Sequence, residues 1–165
     1  MYLTFQKERW QCVITSFSMV LRYPVEHLIK MVGHDGSEVP LPWKHLEEPI
    51  KRRGHSIQEM IDVCFQLHHS VTPIILVERF ITKEGETGIT FATKHEQEHR
   101  IANYLTLFDG VLTGTVKSGK RHCVAWDHQE QMIYDPSGGI YPIGNGSYFI
   151  ETFWLVQKSN HSVRK

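Results

Sequence analysis

The sequence predicts an α+β domain in which N-terminal helices pack on a C-terminal antiparallel sheet. Helical periodicity of apolar residues dominates the first third of the chain, whereas short segments separated by turn residues dominate the last third. The length of 165 residues is that of one domain, so we assign residues 1–165 to a single unit. Hydrophobic residues make up 41% and charged residues 22%, which is typical of a folded globular protein.

Three helices are expected in the first part of the chain. Apolar residues recur at helical spacing over 11–21, and Pro24 can begin a second, short helix with its own apolar stripe. The segment 33–43 is rich in Gly and Pro and is expected to be a loop. The pattern Ser56-Ile57-Gln58-Glu59 is that of a capping box, which predicts the start of a third helix.

Strands are expected after Pro73. The apolar run at 74–80 is typical of a buried strand, 87–93 predicts a weaker strand, and 94–108 predicts a helix that is polar at its start. Four more strands, separated by turn residues, are expected in the last third, at 111–116, 121–126, 131–135 and 152–157.

Charge and apolar patterning exclude several classes of function. Lys plus Arg and Asp plus Glu each total 18, so the chain lacks the positive field that nucleic-acid binding requires. No apolar run approaches the roughly 20 residues that span a membrane. The first residues lack the pattern of a secretory signal, and three cysteines are too few for a disulfide framework. We therefore expect a cytoplasmic protein with reduced thiols and with neither nucleic-acid nor membrane partners.

One cysteine stands where a reactive thiol would be expected. Cys12 opens the first predicted helix, and a helix N-terminus favours the thiolate form of a cysteine. Gln6 precedes it by six residues, so its side-chain amide could donate to an oxyanion formed beside the sulfur. Cys64 and Cys123 lie in apolar segments and are expected to be core residues.

A base and its orienting partner are expected in two late strands. If Trp126 pairs with Gln131 in a hairpin, His122 lies opposite Asp135. Directly opposed side chains are close enough for an imidazole–carboxylate hydrogen bond. Tyr134 should then point to the other face and pack in the core.

These motifs resemble those of the papain-like cysteine peptidases. The resemblance rests on Gln-x5-Cys at a helix start, His-x-Val-x-Trp in a late strand, and the following Tyr-Asp-Pro-Ser-Gly-Gly. It is strongest to the branch that cleaves double-glycine leader peptides in bacteriocin export, together with its stand-alone relatives, and covers most of the chain. It implies a papain-like fold with Cys12 as nucleophile, His122 as general base and acid, Asp135 as its orienter and Gln6 as oxyanion donor. It also implies a peptide or protein substrate and no cofactor.

Three alternatives remain open. His95-Glu96-Gln97-Glu98-His99 fits the H-E-x-x-H pattern of zinc peptidases, although the segment is polar all round, which favours a solvated helix start. A papain-like fold without activity would be a binding module. The same Cys, His and Asp could also deamidate a side chain or transfer an acyl group.

Overall fold

The computed structural model describes residues 1–41, 51–81, 87–91, 96, 99–144 and 148–159. Within these ranges it contains three α-helices, a short π-helical segment (Ile101–Leu105) and ten strands, which confirms the α+β class. The helices are α1 (Cys12–Leu21), α2 (Val25–Val32) and α3 (Ile57–Gln66). The strands are β1 (Val39–Pro40), β2 (Lys51–Arg52), β3 (His69–Ile75), β4 (Val77–Ile81), β5 (Thr87–Phe91), β6 (Gly110–Val116), β7 (Arg121–Asp127), β8 (Met132–Asp135), β9 (Gly139–Pro142) and β10 (Tyr148–Lys158).

The three helices begin and end at residues that the local sequence marks. The capping box of α3 is present: Ser56 Oγ accepts from the Glu59 N–H at 3.2 Å, and Glu59 Oε2 accepts from the Ser56 N–H at 2.8 Å. Pro24 is the N-cap of α2, and Gly33 ends that helix with a φ of 90°, a conformation that glycine adopts without strain. Arg22 ends α1 with a φ of 59°.

Six strands form one antiparallel sheet in the order β3-β10-β6-β7-β8-β9. The helices cover one face, where residues of α1, α2 and α3 pack on β3, β6, β7 and β10. The opposite face carries a second cluster, which includes Trp126, Ile133 and Phe153. Because side chains alternate along a strand, β7 contributes Cys123 to the first cluster and Val124 to the second.

The run at 74–80 differs from its prediction as a single strand. β3 begins earlier, at His69, and contains Pro73, whereas β4 starts after Leu76 and pairs with β5 in a separate two-stranded sheet. β3 lies at the edge of the large sheet, where a residue without an N–H is tolerated. The sequence alone therefore placed the start of this strand too late.

Two short pairs of strands differ from the predicted secondary structure. The predicted loop at 33–43 contains β1, which pairs with β2, and β9, where the sequence predicts no strand, pairs with β8. Such short strands carry too little alternation to be recognised from sequence. Part of the loop and of the predicted helix at 94–108 lies outside the described residues, as does the end of the predicted strand at 87–93. Among the helices that are described, none has the length and apolar character needed to cross a membrane.

Candidate active site

The cleft beside the first turn of α1 contains the cysteine that the sequence singled out. Cys12 is the first residue of this helix and is half-buried. It lies at the helix end where backbone N–H groups lack intrahelical acceptors. Together with His122 it lines a cavity of about 260 Å³. A hydrogen bond of 3.0 Å from Ser16 Oγ to the Cys123 carbonyl ties α1 to β7, so residues distant in sequence share one cleft.

His122 and Asp135 form a hydrogen-bonded pair in the structure. The imidazole Nε2 donates to Oδ1 at 2.8 Å, and the two side chains are only 12% and 10% exposed. Cys12 and His122 line the same cavity. The imidazole thus shares a cavity with the thiol and a hydrogen bond with the carboxylate.

The predicted register of this hairpin was wrong by one residue on each strand. Trp126 pairs with Ile133 and not with Gln131, which makes His122 a diagonal neighbour of Asp135 and not its direct partner. The partner of each β7 residue thus lies two positions further along β8 than predicted. Because side chains alternate with a period of two, His122 and Asp135 stay on the same face of the sheet. A diagonal neighbour is still within reach of an aromatic ring, so the hydrogen bond forms.

The turn between β7 and β8 explains why the register of this hairpin differs from the predicted one. Asp127 Oδ1 accepts from the N–H groups of Gln129 and Glu130, at 2.9 and 3.1 Å. Gln131 adopts a left-handed φ of 56° and so belongs to the turn. The last pair before the turn is therefore Asp127 with Met132 and not the predicted Trp126 with Gln131, so each strand of the hairpin pairs one residue further along the chain.

Asp135 is held by residues that the sequence reasoning missed. Its Oδ1 accepts from the Ser137 N–H at 2.7 Å and from Ser137 Oγ at 2.8 Å, and its Oδ2 accepts from the Tyr141 hydroxyl at 2.8 Å. Tyr148 donates to the His122 carbonyl at 2.8 Å, and its ring meets the imidazole edge-on. The Asp-Pro-Ser sequence was a usable signal for Ser137, since aspartates often bond the backbone two residues on. No local signal marks the two tyrosines.

The charges of His122 and Asp135 stabilise each other. Burial of the ring opposes its protonation, but the hydrogen bond to Asp135 and the charge of that carboxylate, together with the nearby Cys12 sulfur, outweigh it and raise the pKa of His122 to about 9. Burial alone would raise the pKa of Asp135, yet hydrogen bonds from His122 and Ser137 hold that pKa well below its usual range. At neutral pH the ring is therefore an imidazolium beside a carboxylate.

Gln6 lies next to this pair on the chain segment that leads to α1. Its N–H donates to the Pro136 carbonyl at 3.0 Å, which places Gln6 beside the turn that follows Asp135. Its amide Oε1 is buried, and none of the described residues donates to it. Gln6 is not among the described residues that line the cavity beside Cys12.

The walls of the cavity come from both the helical and the sheet layer. Val13 and Ile57 contribute apolar surface from α1 and α3, and Trp154 contributes it from β10. Thr113 and Arg121 lie on the sheet side, and the Arg121 guanidinium pairs with Glu151 at 3.3 Å. The space beside the Cys12 thiol is thus mainly apolar, with a cation at its border.

The other predicted core residues are buried. Cys64 and Cys123 are at most 1% exposed, and burial raises the pKa of the Cys64 thiol to about 12. Tyr134 is buried against Met19 on the face opposite to Asp135, as predicted. Trp126 is also buried, and its indole N–H donates to the Leu105 carbonyl at 2.7 Å.

Among the described residues, one group could bring three metal-ligand atoms together: Asp109, Asp127 and His128. Its members already have partners, because His128 Nδ1 bonds Asp109 at 2.8 Å and Asp127 binds backbone N–H groups. Of the H-E-x-x-H segment, Glu96 and His99 are described, whereas residues 95, 97 and 98 lie outside the described ranges.

Comparison with known proteins adds no assignment: neither a protein-family model nor a curated protein matches the chain.

Proposed function

We propose that the chain is a single papain-like cysteine peptidase domain, spanning residues 1–165, that hydrolyses an amide bond of a peptide or protein substrate. The observation that carries this proposal is the His122–Asp135 hydrogen bond of 2.8 Å, together with the cavity that Cys12 and His122 both line. Helices packed on an antiparallel sheet are compatible with the papain-like fold. A cytoplasmic location remains part of the proposal.

In the proposed reaction, Cys12 attacks the carbonyl carbon and His122 carries the proton. The proton of the thiol is held on the imidazolium, which passes it to the leaving amine as the sulfur of Cys12 forms a thioester with the acyl group. The neutral ring then takes a proton from water, the hydroxide attacks the thioester, and the sulfur leaves beside the ring, which is protonated again. Asp135 keeps the ring oriented and stabilises its charge throughout.

The negative charge that develops on the carbonyl oxygen needs donors. The backbone N–H of Cys12 belongs to the first turn of α1, where such groups are free to bind an anion. The second proposed donor is the Gln6 side-chain amide, whose chain segment is fixed to Pro136 beside Asp135. No cofactor takes part in these steps.

Alkylation of the three cysteines tests the nucleophile directly. We expect an iodoacetamide reagent near neutral pH to label Cys12 while Cys64 and Cys123, which are buried, react slowly. Burial alone would also produce this selectivity, so the decisive comparison is His122→Ala, in which labelling of Cys12 should slow markedly. His128→Ala is the matched control, because it removes a different histidine paired to an aspartate at 2.8 Å. Equal labelling rates in wild type and His122→Ala would refute the proposal.

Inhibition separates the alternatives. An alkylating reagent should abolish peptide cleavage and a metal chelator should leave it intact, whereas a zinc peptidase at His95 and His99 would behave in the opposite way. A binding module would retain its biological effect in Cys12→Ala. Deamidase and acyl-transferase activities use the same residues and differ in the amide attacked or in the acceptor, so product analysis by mass spectrometry distinguishes them.

A further inference from the structure

Tyr141 lies on β9, a strand that the sequence did not predict, yet it reaches the carboxylate of Asp135. It pairs with Ile133 across the β8–β9 ladder, where Asp135 pairs with Gly139. Tyr141 is thus a diagonal neighbour of Asp135 on one side, as His122 is on the other. The hydroxyl donates to Oδ2 at 2.8 Å.

The two carboxylate oxygens of Asp135 have different partners. Oδ1 accepts from three donors: His122 Nε2, the Ser137 N–H and Ser137 Oγ. Among the described residues, Tyr141 is the donor that the structure assigns to Oδ2. The terminal torsion of an aspartate is broad and roughly two-fold, so one occupied oxygen does not by itself fix the plane of the carboxylate. A second donor, bonded to Oδ2, fixes that plane.

Tyr141 remains a donor over the working pH range. Burial, and with it the hydrogen bond to Asp135 and the charge of that carboxylate, raises the pKa of Tyr141 above its ordinary value. Its hydroxyl therefore stays protonated when His122 titrates.

We propose that Tyr141 is a positioning residue, whose hydroxyl holds the Asp135 carboxylate in the plane that lets Oδ1 accept from His122; this inference rests on the function proposed above. The residue acts through Asp135 and does not touch the reacting atoms. Its loss should free the carboxylate to turn, which weakens the bond to His122 and the orientation of the ring towards Cys12.

The groups around His122 define what a titration would report. Cys12 faces the ring from α1, Asp135 and Ser137 face it from β8 and the following turn, and the Tyr148 ring meets it from β10. Arg121 is its neighbour on β7 and pairs with Glu151. None of these side chains is changed by a substitution at Tyr141.

The test is an NMR titration of the His122 ring in wild type and in Tyr141→Phe, which removes only the hydroxyl. We expect the pKa of His122 to fall from about 9 towards its ordinary value of 6.5. Tyr134→Phe is the matched control: it lies one residue from Asp135, but its hydroxyl bonds Glu130. An unchanged pKa in Tyr141→Phe would overturn the proposal. A raised pKa would also overturn it, because the hydroxyl would then only weaken the carboxylate as an acceptor.

A second measurement needs no variant. In the wild-type protein the Tyr141 hydroxyl proton should give a slowly exchanging NMR resonance with a cross-peak to Asp135, and its absence counts against the proposal. If the enzyme cleaves peptides, Tyr141→Phe should lower kcat about tenfold to a hundredfold while KM changes little. The titration requires no substrate. Absence of cleavage with a fallen His122 pKa would therefore refute the peptidase and leave the positioning role standing.

Discussion

The charge on His122 should make the stability of the folded protein depend on pH in alkaline solution. The ring has an ordinary pKa of 6.5 in the unfolded chain and a pKa raised to about 9 in the folded one. A proton that binds more tightly to the folded state stabilises it. Its contribution is fully present below about pH 6.5 and is lost as the pH rises through about 9.

The size of the effect follows from the two values. One pKa unit corresponds to about 1.4 kcal/mol, so the shift from 6.5 to about 9 gives about 3 kcal/mol at most. In His122→Gln the ring cannot be protonated, and this part of the pH dependence disappears. The difference in the free energy of unfolding between wild type and His122→Gln should therefore shrink by about 3 kcal/mol across this pH interval.

Urea unfolding curves at a series of pH values measure this difference. His27→Gln serves as control, because His27 is an exposed residue of α2 outside the site. The difference in the free energy of unfolding between wild type and His27→Gln should stay the same at every pH. If the difference in the free energy of unfolding between wild type and His122→Gln is also the same at every pH, His122 carries no extra proton in the folded state. The reasoning about its pairing with Asp135 then fails.

Two other substitutions test how the fold is built. Ser56→Ala removes the capping hydrogen bond to the Glu59 N–H and should cost about 1 kcal/mol, read as a lower urea midpoint; an unchanged midpoint would mean that the cap contributes nothing. Trp126→Phe leaves the Leu105 carbonyl without its indole donor and should lower the free energy of unfolding by about 1–3 kcal/mol. Stability equal to wild type would show that another donor replaces the indole.

Some elements could be predicted because their signals are local. The capping box at Ser56 and the apolar spacing before Leu21 each involve residues within a few positions of one another, so they act in the same way in almost any context. The common face of His122 and Asp135 was also predictable, since alternation along a strand survives a shift of two positions.

The sequence by itself determined the fold class, the start of the helix at Cys12 and the face shared by His122 and Asp135. Only the structure showed the hairpin register, which the turn with the left-handed Gln131 sets, and the support of Asp135 by Tyr141 from the neighbouring strand. It also decided that α1 packs on β7 and brings Cys12 to the imidazole. The physical reason is that contacts between distant segments depend on how layers pack, which no short stretch of residues encodes.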